Sequence, residues 1–207
     1  MTETVVSQAD GDPGAYETLV LGIGNVLWAD EGFGIRAVEA LNARYTFPGD
    51  VRLMDGGTQG IFLLPWVCSA RRLLILDAVD FGMEPAALRK VEGEDVPRFM
   101  GAKKVSMHQA GFQEVLSSAT LSGALPEELV LIGVQPELLN DYGGSLTAGV
   151  KARIDEAVEL ACEVLRGWGI DVTERDTPLE GAELIGPGAL DIRDYEEGRP
   201  PPAGEGQ

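Results

Sequence analysis

Two acids and the single histidine of the chain stand at positions from which they could share one ion. Glu31 lies in a glycine-bracketed segment, GIGNVLWADEGFG (residues 22–34), Asp77 ends the apolar run RLLILDAV (72–79), and His108 follows Ser106 in SMHQAG (106–111). If the elements carrying them adjoin, two carboxylates and one imidazole make a mixed oxygen and nitrogen set suited to a divalent zinc, nickel or manganese ion. Three protein ligands leave a coordination position open, as in sites that admit a substrate atom. No local pattern of the H-E-x-x-H kind fixes this geometry, so the spacing alone is a weak signal. Each residue also has a plainer role. Glu31 suits the positive end of the following helix, Asp30 could cap it, and Asp77 could accept hydrogen bonds from a neighbouring loop. His108 near a helix start could be structural, and Asp55 in DGGT (55–58) equally suits a tight turn.

The elements that would position these residues alternate between short β-branched runs and stretches of helical period. Strands are expected at 18–24 (TLVLGIG), 51–57 (VRLMDGG), 72–79, 88–91, 129–136 (LVLIGVQP) and 170–173; the fourth is short, flanked by charge, and expected at an edge. Helices are expected at 34–45, 59–68, 106–121 with Ser106 as N-cap, and 145–168, the last with a continuous apolar stripe. This order implies a three-layer α/β/α sandwich around a twisted, mostly parallel five-stranded sheet. In such sheets ligands bind beyond the carboxyl ends of the strands, where Glu31, Asp55, Asp77 and His108 all fall.

Length and composition narrow the classes. The chain has 207 residues, 44% apolar and 24% charged, with 27 glycines, which suits one folded domain. Residues 1–17 hold four acids and no base, and 176–207 hold eight acids against two bases. The expected organisation is therefore a flexible acidic extension (1–17), one α/β domain (18–175) and an acidic Pro/Gly-rich tail (176–207), in which Leu184, Ile185, Leu190 and Ile192 are small apolar patches able to dock. A net charge of −18 argues against nucleic acid and anionic membranes as partners. No apolar run approaches the ~20 residues of a membrane span, and the first residues lack the features of a signal peptide, so a cytoplasmic protein is expected. Cys68 and Cys162 stand alone among apolar neighbours and suggest neither a disulfide framework nor a cysteine zinc site.

Competing chemistries leave partial traces. A dinucleotide site would use Gly22, Gly24 and Asp55, but the third glycine of G-x-G-x-x-G is replaced by Leu27 and the loop runs on before the helix. Neither the elbow G-x-S-x-G nor a P-loop is present. A binding module for a metal or a partner, without catalysis, remains open at this level.

Taken together, LVLGIGNVLWADEGFGIRAVEAL (19–41), DGGT (55–58), LILDAV (74–79), SMHQAG (106–111) and LIGVQPE (131–137) resemble the hydrogenase maturation proteases. Those endopeptidases trim the C-terminal extension from the large subunit of nickel-iron hydrogenases. The resemblance covers residues 18–172 and implies a mostly parallel sheet between helices, with a metal held by a Glu, an Asp and a His, here Glu31, Asp77 and His108. It further implies that the metal is nickel carried by the substrate rather than a resident cofactor, and that the partner is the nickel-loaded precursor of the large subunit. Asp55 and Asp77 are then the candidate catalytic carboxylates, Asp55 as the group that activates water.

Overall fold

A computed structural model of the chain describes residues 5–6, 16–102, 107–180, 185 and 192–198. Its elements run β1 (Val5–Val6), β2 (Thr18–Ile23), α1 (Phe33–Arg44), β3 (Tyr45–Thr46), β4 (Val51–Gly57), α2 (Leu64–Ser69), β5 (Arg72–Ala78) and β6 (Leu88–Glu92). They continue through α3 (Asp95–Ala102), α4 (Met107–Leu121), β7 (Glu128–Val134), α5 (Ala148–Lys151), α6 (Ile154–Gly167), β8 (Thr173–Glu174) and α7 (Ile192–Gly198). Two 3-10 turns, Ala29–Gly32 and Gly60–Leu63, lead into α1 and α2.

The main sheet has the order β1-β4-β2-β5-β7-β6. All neighbours are parallel except β6, which runs antiparallel to β7 at the edge. The chain leaves β2 through α1 to reach β4 on one side, then returns through α2 to β5 on the other side of β2. The strand order therefore reverses between β2 and β5, which makes their carboxyl ends the switch point of the sheet, the edge at which such folds bind ligands. The five strands expected from the apolar runs form this sheet, with β1 added beside β4.

Strand alternation divides the core into two layers. Val20, Leu74, Leu76, Ile132 and Val134 pack with Phe33, Val38 and Leu41 of α1 and with Ala157, Val158 and Leu165 of α6. Leu19, Leu21, Leu73, Ile75 and Leu131 pack on the other face with Val67 of α2, Val96 of α3 and Phe112, Val115 and Leu116 of α4. Central strands buried on both faces explain why they read as unbroken apolar runs.

Several elements depart from the sequence expectations. The apolar stripe over 145–168 continues across a break: Thr147 caps α5 by accepting from the Val150 N–H, and α6 begins after Ala152 and Arg153. Ile170 and Val172, expected in a strand over 170–173, are buried in the core instead, and the pairing falls on Thr173–Glu174, antiparallel to β3. Helix α3 is an addition, and Ser106 lies outside the described residues. In the acidic flanks, Val5 and Val6 pair with Leu53 and Met54. Ile185 is buried, Ile192 packs on the core, and Glu196 of α7 pairs with Lys151 at 2.7 Å. Among the described residues no helix is long and apolar enough to cross a membrane.

One contact holds α1 onto the strand ends. A methyl group on Gly34 would fall 2.1 Å from the Leu76 carbonyl oxygen and 2.4 Å from that of Ile23, both backbone atoms that cannot give way. Gly34→Ala is therefore expected to cost about 3 kcal/mol or more, lowering the thermal midpoint by about 6–12 °C in a circular-dichroism melt. Gly167→Ala, whose methyl would meet nothing within 4 Å, serves as the control and leaves the midpoint within a few degrees.

Candidate active site

The turn that carries Glu31 is pressed against the end of β2. Gly24 has φ +140°, and a side chain there would fall 1.8 Å from the Glu31 carbonyl oxygen, so only glycine lets the two backbones meet. That carbonyl accepts the Asn25 N–H, and the Glu31 N–H donates to the Trp28 carbonyl.

Asp30 and Glu31 are neighbours in sequence with separate tasks. Asp30 is fully buried and caps nothing: the residue before α1 is Gly32, which makes no side-chain cap. Its Oδ2 accepts the N–H groups of Glu137 and Leu138 at 2.9 and 2.8 Å and the Thr147 hydroxyl at 3.2 Å, while Oδ1 accepts the Thr147 N–H at 2.7 Å. Backbone bonds from Ala29 to Gly144, from Asp30 to Leu138 and from Gly143 to Leu27 run alongside. The loop after β2 and the loop after β7 are thus zipped together, with Trp28 edge-on to Tyr142 at 5.2 Å between centroids. Glu31 is left half-buried at the carboxyl edge of the sheet.

Asp77 lies at the end of β5 with no exposure. Leu73 and Ile75 face α4, and Leu74, Leu76 and Ala78 face α1 and α6, so alternation turns Asp77 toward the α4 layer. Helix α4 packs on α2, on α3 and on the turn Gly60–Leu63. It descends to the start of β7 and so begins at the carboxyl edge, where its first turn holds His108. The elements bearing Glu31, Asp77 and His108 therefore meet at one edge; the imidazole itself lies outside the described residues. Among the described residues, no three His, Cys, Asp or Glu side chains form a group able to hold a metal.

Asp55 reaches the same edge on the opposite layer. It extends the alternation of Val51 and Leu53, which face α1, and the Arg36 guanidinium of α1 is the charge acting on it. β4 and β5 are separated by two strand spacings, so the Asp55 and Asp77 backbones stand about 10 Å apart. Burial raises the Asp55 carboxyl to about 6, against the opposing pull of the Gly57 N–H and Arg36. A carboxyl tuned into that range is suited to proton transfer near neutral pH.

Gln135 braces this same edge, which spacing did not reveal. Its Oε1 accepts the Phe81 and Met83 N–H groups at 2.8 and 3.1 Å, and its Nε2 donates to Asp80 at 3.1 Å. It fastens the loop after β5 to the end of β7. The only trace is its place just past an apolar strand.

The family model for hydrogenase maturation proteases matches residues 35–164. The chain is 55% identical over 186 residues to the hydrogenase expression/formation protein HoxM of Azotobacter vinelandii, covering 90% of this chain and 88% of that one. It is 40% identical over 159 residues to the hydrogenase 2 maturation protease of Escherichia coli, covering 76% and 96%. The structure of the E. coli hydrogenase maturating endopeptidase HybD superposes with a TM-score of 0.73 at 39% identity, over 77% of this chain and 98% of that one. The chain belongs to the hydrogenase maturation protease family. As a hydrogenase maturation protease it is an endopeptidase, a hydrolase of peptide bonds, which sets aside the non-catalytic module. Membership of that family sets aside the dinucleotide alternative as well.

Two measurements check this geometry. Asp30→Ala removes the shared acceptor of the Glu137, Leu138 and Thr147 N–H groups and is expected to cost about 2–3 kcal/mol in urea unfolding. The folded Asp55 carboxyl, near 6, sits above its unfolded value of 3.8. Its burial therefore costs nothing below about pH 4, destabilises increasingly as pH rises through 4–6, and costs most above that. Asp55→Asn is expected to stabilise the protein by up to about 3 kcal/mol at pH 7.5, with the gain vanishing toward pH 4 in matched unfolding curves.

Proposed function

We propose that this endopeptidase removes the C-terminal extension from the nickel-loaded precursor of a nickel-iron hydrogenase large subunit, reading the nickel through Glu31, Asp77 and His108. The observation that carries the reading is Asp77, a wholly buried carboxylate at the switch point, turned toward the helix whose first turn holds the sole histidine. The spacing of positions 108, 112, 115 and 119 is that of one helical face, and Phe112, Val115 and Ala119 are buried on it against the sheet. On this reading His108 shares that face. Gly24 and Gly34 bring the Glu31 turn onto the ends of β2 and β5 from the other side.

Two hard oxygen ligands and one imidazole bind a free ion modestly but can complete the shell of an ion that substrate thiolates also hold. The protein then engages only a precursor whose nickel is in place. Holding that ion fixes one peptide bond beside the site, so positioning supplies much of the rate. Asp55 stands too far from Asp77 to share the ion and acts as the base that takes a proton from the attacking water; Asp77 is the ligand that orients the ion against the bond.

Asp77→Asn and His108→Ala are expected to keep the circular-dichroism spectrum of the parent while slowing cleavage of nickel-loaded precursor on the order of 100-fold or more, read as the mass shift on a gel. Nickel-free precursor should remain uncut by every form of the enzyme. Normal processing by either variant would remove these residues from the site.

A further inference from the structure

Large apolar side chains left in water are concentrated at the edge of the sheet where the proposed site lies. Of the six most exposed among the described residues, Ile61, Phe62, Met83, Leu138 and Tyr142 all stand on loops that follow parallel strands, at 41–73% exposure; Leu121 alone lies elsewhere. Phe62, at 73%, belongs to the turn after β4, Met83 to the loop after β5, and Leu138 and Tyr142 to the loop after β7. Exposed apolar groups gathered on one rim mark a surface that meets another molecule.

Charge says what kind. The four loops at this edge, 24–32, 58–63, 79–87 and 135–147, hold Asp30, Glu31, Asp80, Glu84, Glu137 and Asp141 and not one Lys or Arg. The opposite edge is mixed, with Arg71 paired to Glu127 and Arg72 to Glu128. Lys103 and Lys104, in the segment between α3 and α4, lie outside the described residues, and counting them leaves the edge strongly negative. A second copy of this acidic chain would meet like charge there. The row from β4 to β7 spans three strand spacings, about 14 Å, the length of about four extended residues.

We infer that this rim is the docking surface for an extended segment of the substrate polypeptide in which apolar residues alternate with Lys or Arg. Phe62 and Ile61 anchor one end of that segment, Tyr142 and Leu138 the other, and the outlying acids Glu84, Glu137 and Asp141 take its cations. The inference rests on the reading above that this edge receives the precursor, and it adds that affinity comes from the rim while the metal ligands supply turnover.

Kinetics on purified, nickel-loaded precursor separate the two. The double variant Ile61→Ala/Phe62→Ala is expected to raise KM about tenfold or more with kcat within about twofold. The wild-type KM should rise several-fold between 50 and 300 mM NaCl, and Glu84→Lys should flatten that dependence. An unchanged KM in the double variant, or a fall in kcat at unchanged KM, would overturn the docking surface. So would sedimentation showing a wild-type dimer that the double variant splits, since the occupant would then be a second copy. His108→Ala, run beside them, tests the other reading: if it cleaves normally, the nickel site is wrong whatever the rim variants do.

Discussion

A single buried carboxylate holds the functional edge in shape. Asp30 collects four hydrogen bonds from the segment 137–147 and so converts two independent loops into one rigid ridge. Because the Asp30 carboxyl is wholly withdrawn from water, it relies on these donors being present together. Glu31 inherits its position from this neighbour, and Trp28 and Tyr142 inherit theirs. The ridge extends further, since Ser145 and Lys151 at its far end both bind Glu196 of α7.

Below the ridge, the topology does the rest. Strand order reverses between β2 and β5, and Asp77 reaches that switch point from β5 on the α4 layer while Asp55 arrives from β4 on the other layer. The sheet thereby separates two carboxylates of similar sequence context into different electrostatic surroundings. Asp55 is next to Arg36, yet burial dominates and keeps its proton affinity high.

Much of this was legible in the letters, and the failures have physical causes. Strands buried on both faces announce themselves as apolar runs, so β2, β4, β5 and β7 were found within a residue or two of their ends. Helix α3 was missed because Pro97 and Gly101 break the usual helical signature. The break between α5 and α6 was hidden because its tight turn preserves the phase of the apolar stripe. Ile170 and Val172 are β-branched for packing rather than pairing, which misplaced the last strand. Asp30 reads in the sequence as a possible helix cap, and Gln135 carries no signal, because their main partners are backbone groups over 50 or 100 residues away, and backbone leaves no mark in a sequence. Glu31, Asp77 and His108 were visible as residue types beside strand ends and a helix start; the layer that Asp77 faces is evident only from the alternation of its neighbours in β5.

Trp28 spans the joint between the two zipped loops, ring edge toward Tyr142, while Trp66 is buried against the ring of Tyr16 and Trp168 sits half-covered at the end of α6. Only the first of these indoles stands at the carboxyl edge of the sheet. The molecule thus contains its own optical gauge: light emitted from that position registers any parting of the loops, and silencing the two remote indoles would isolate the signal without attaching a dye.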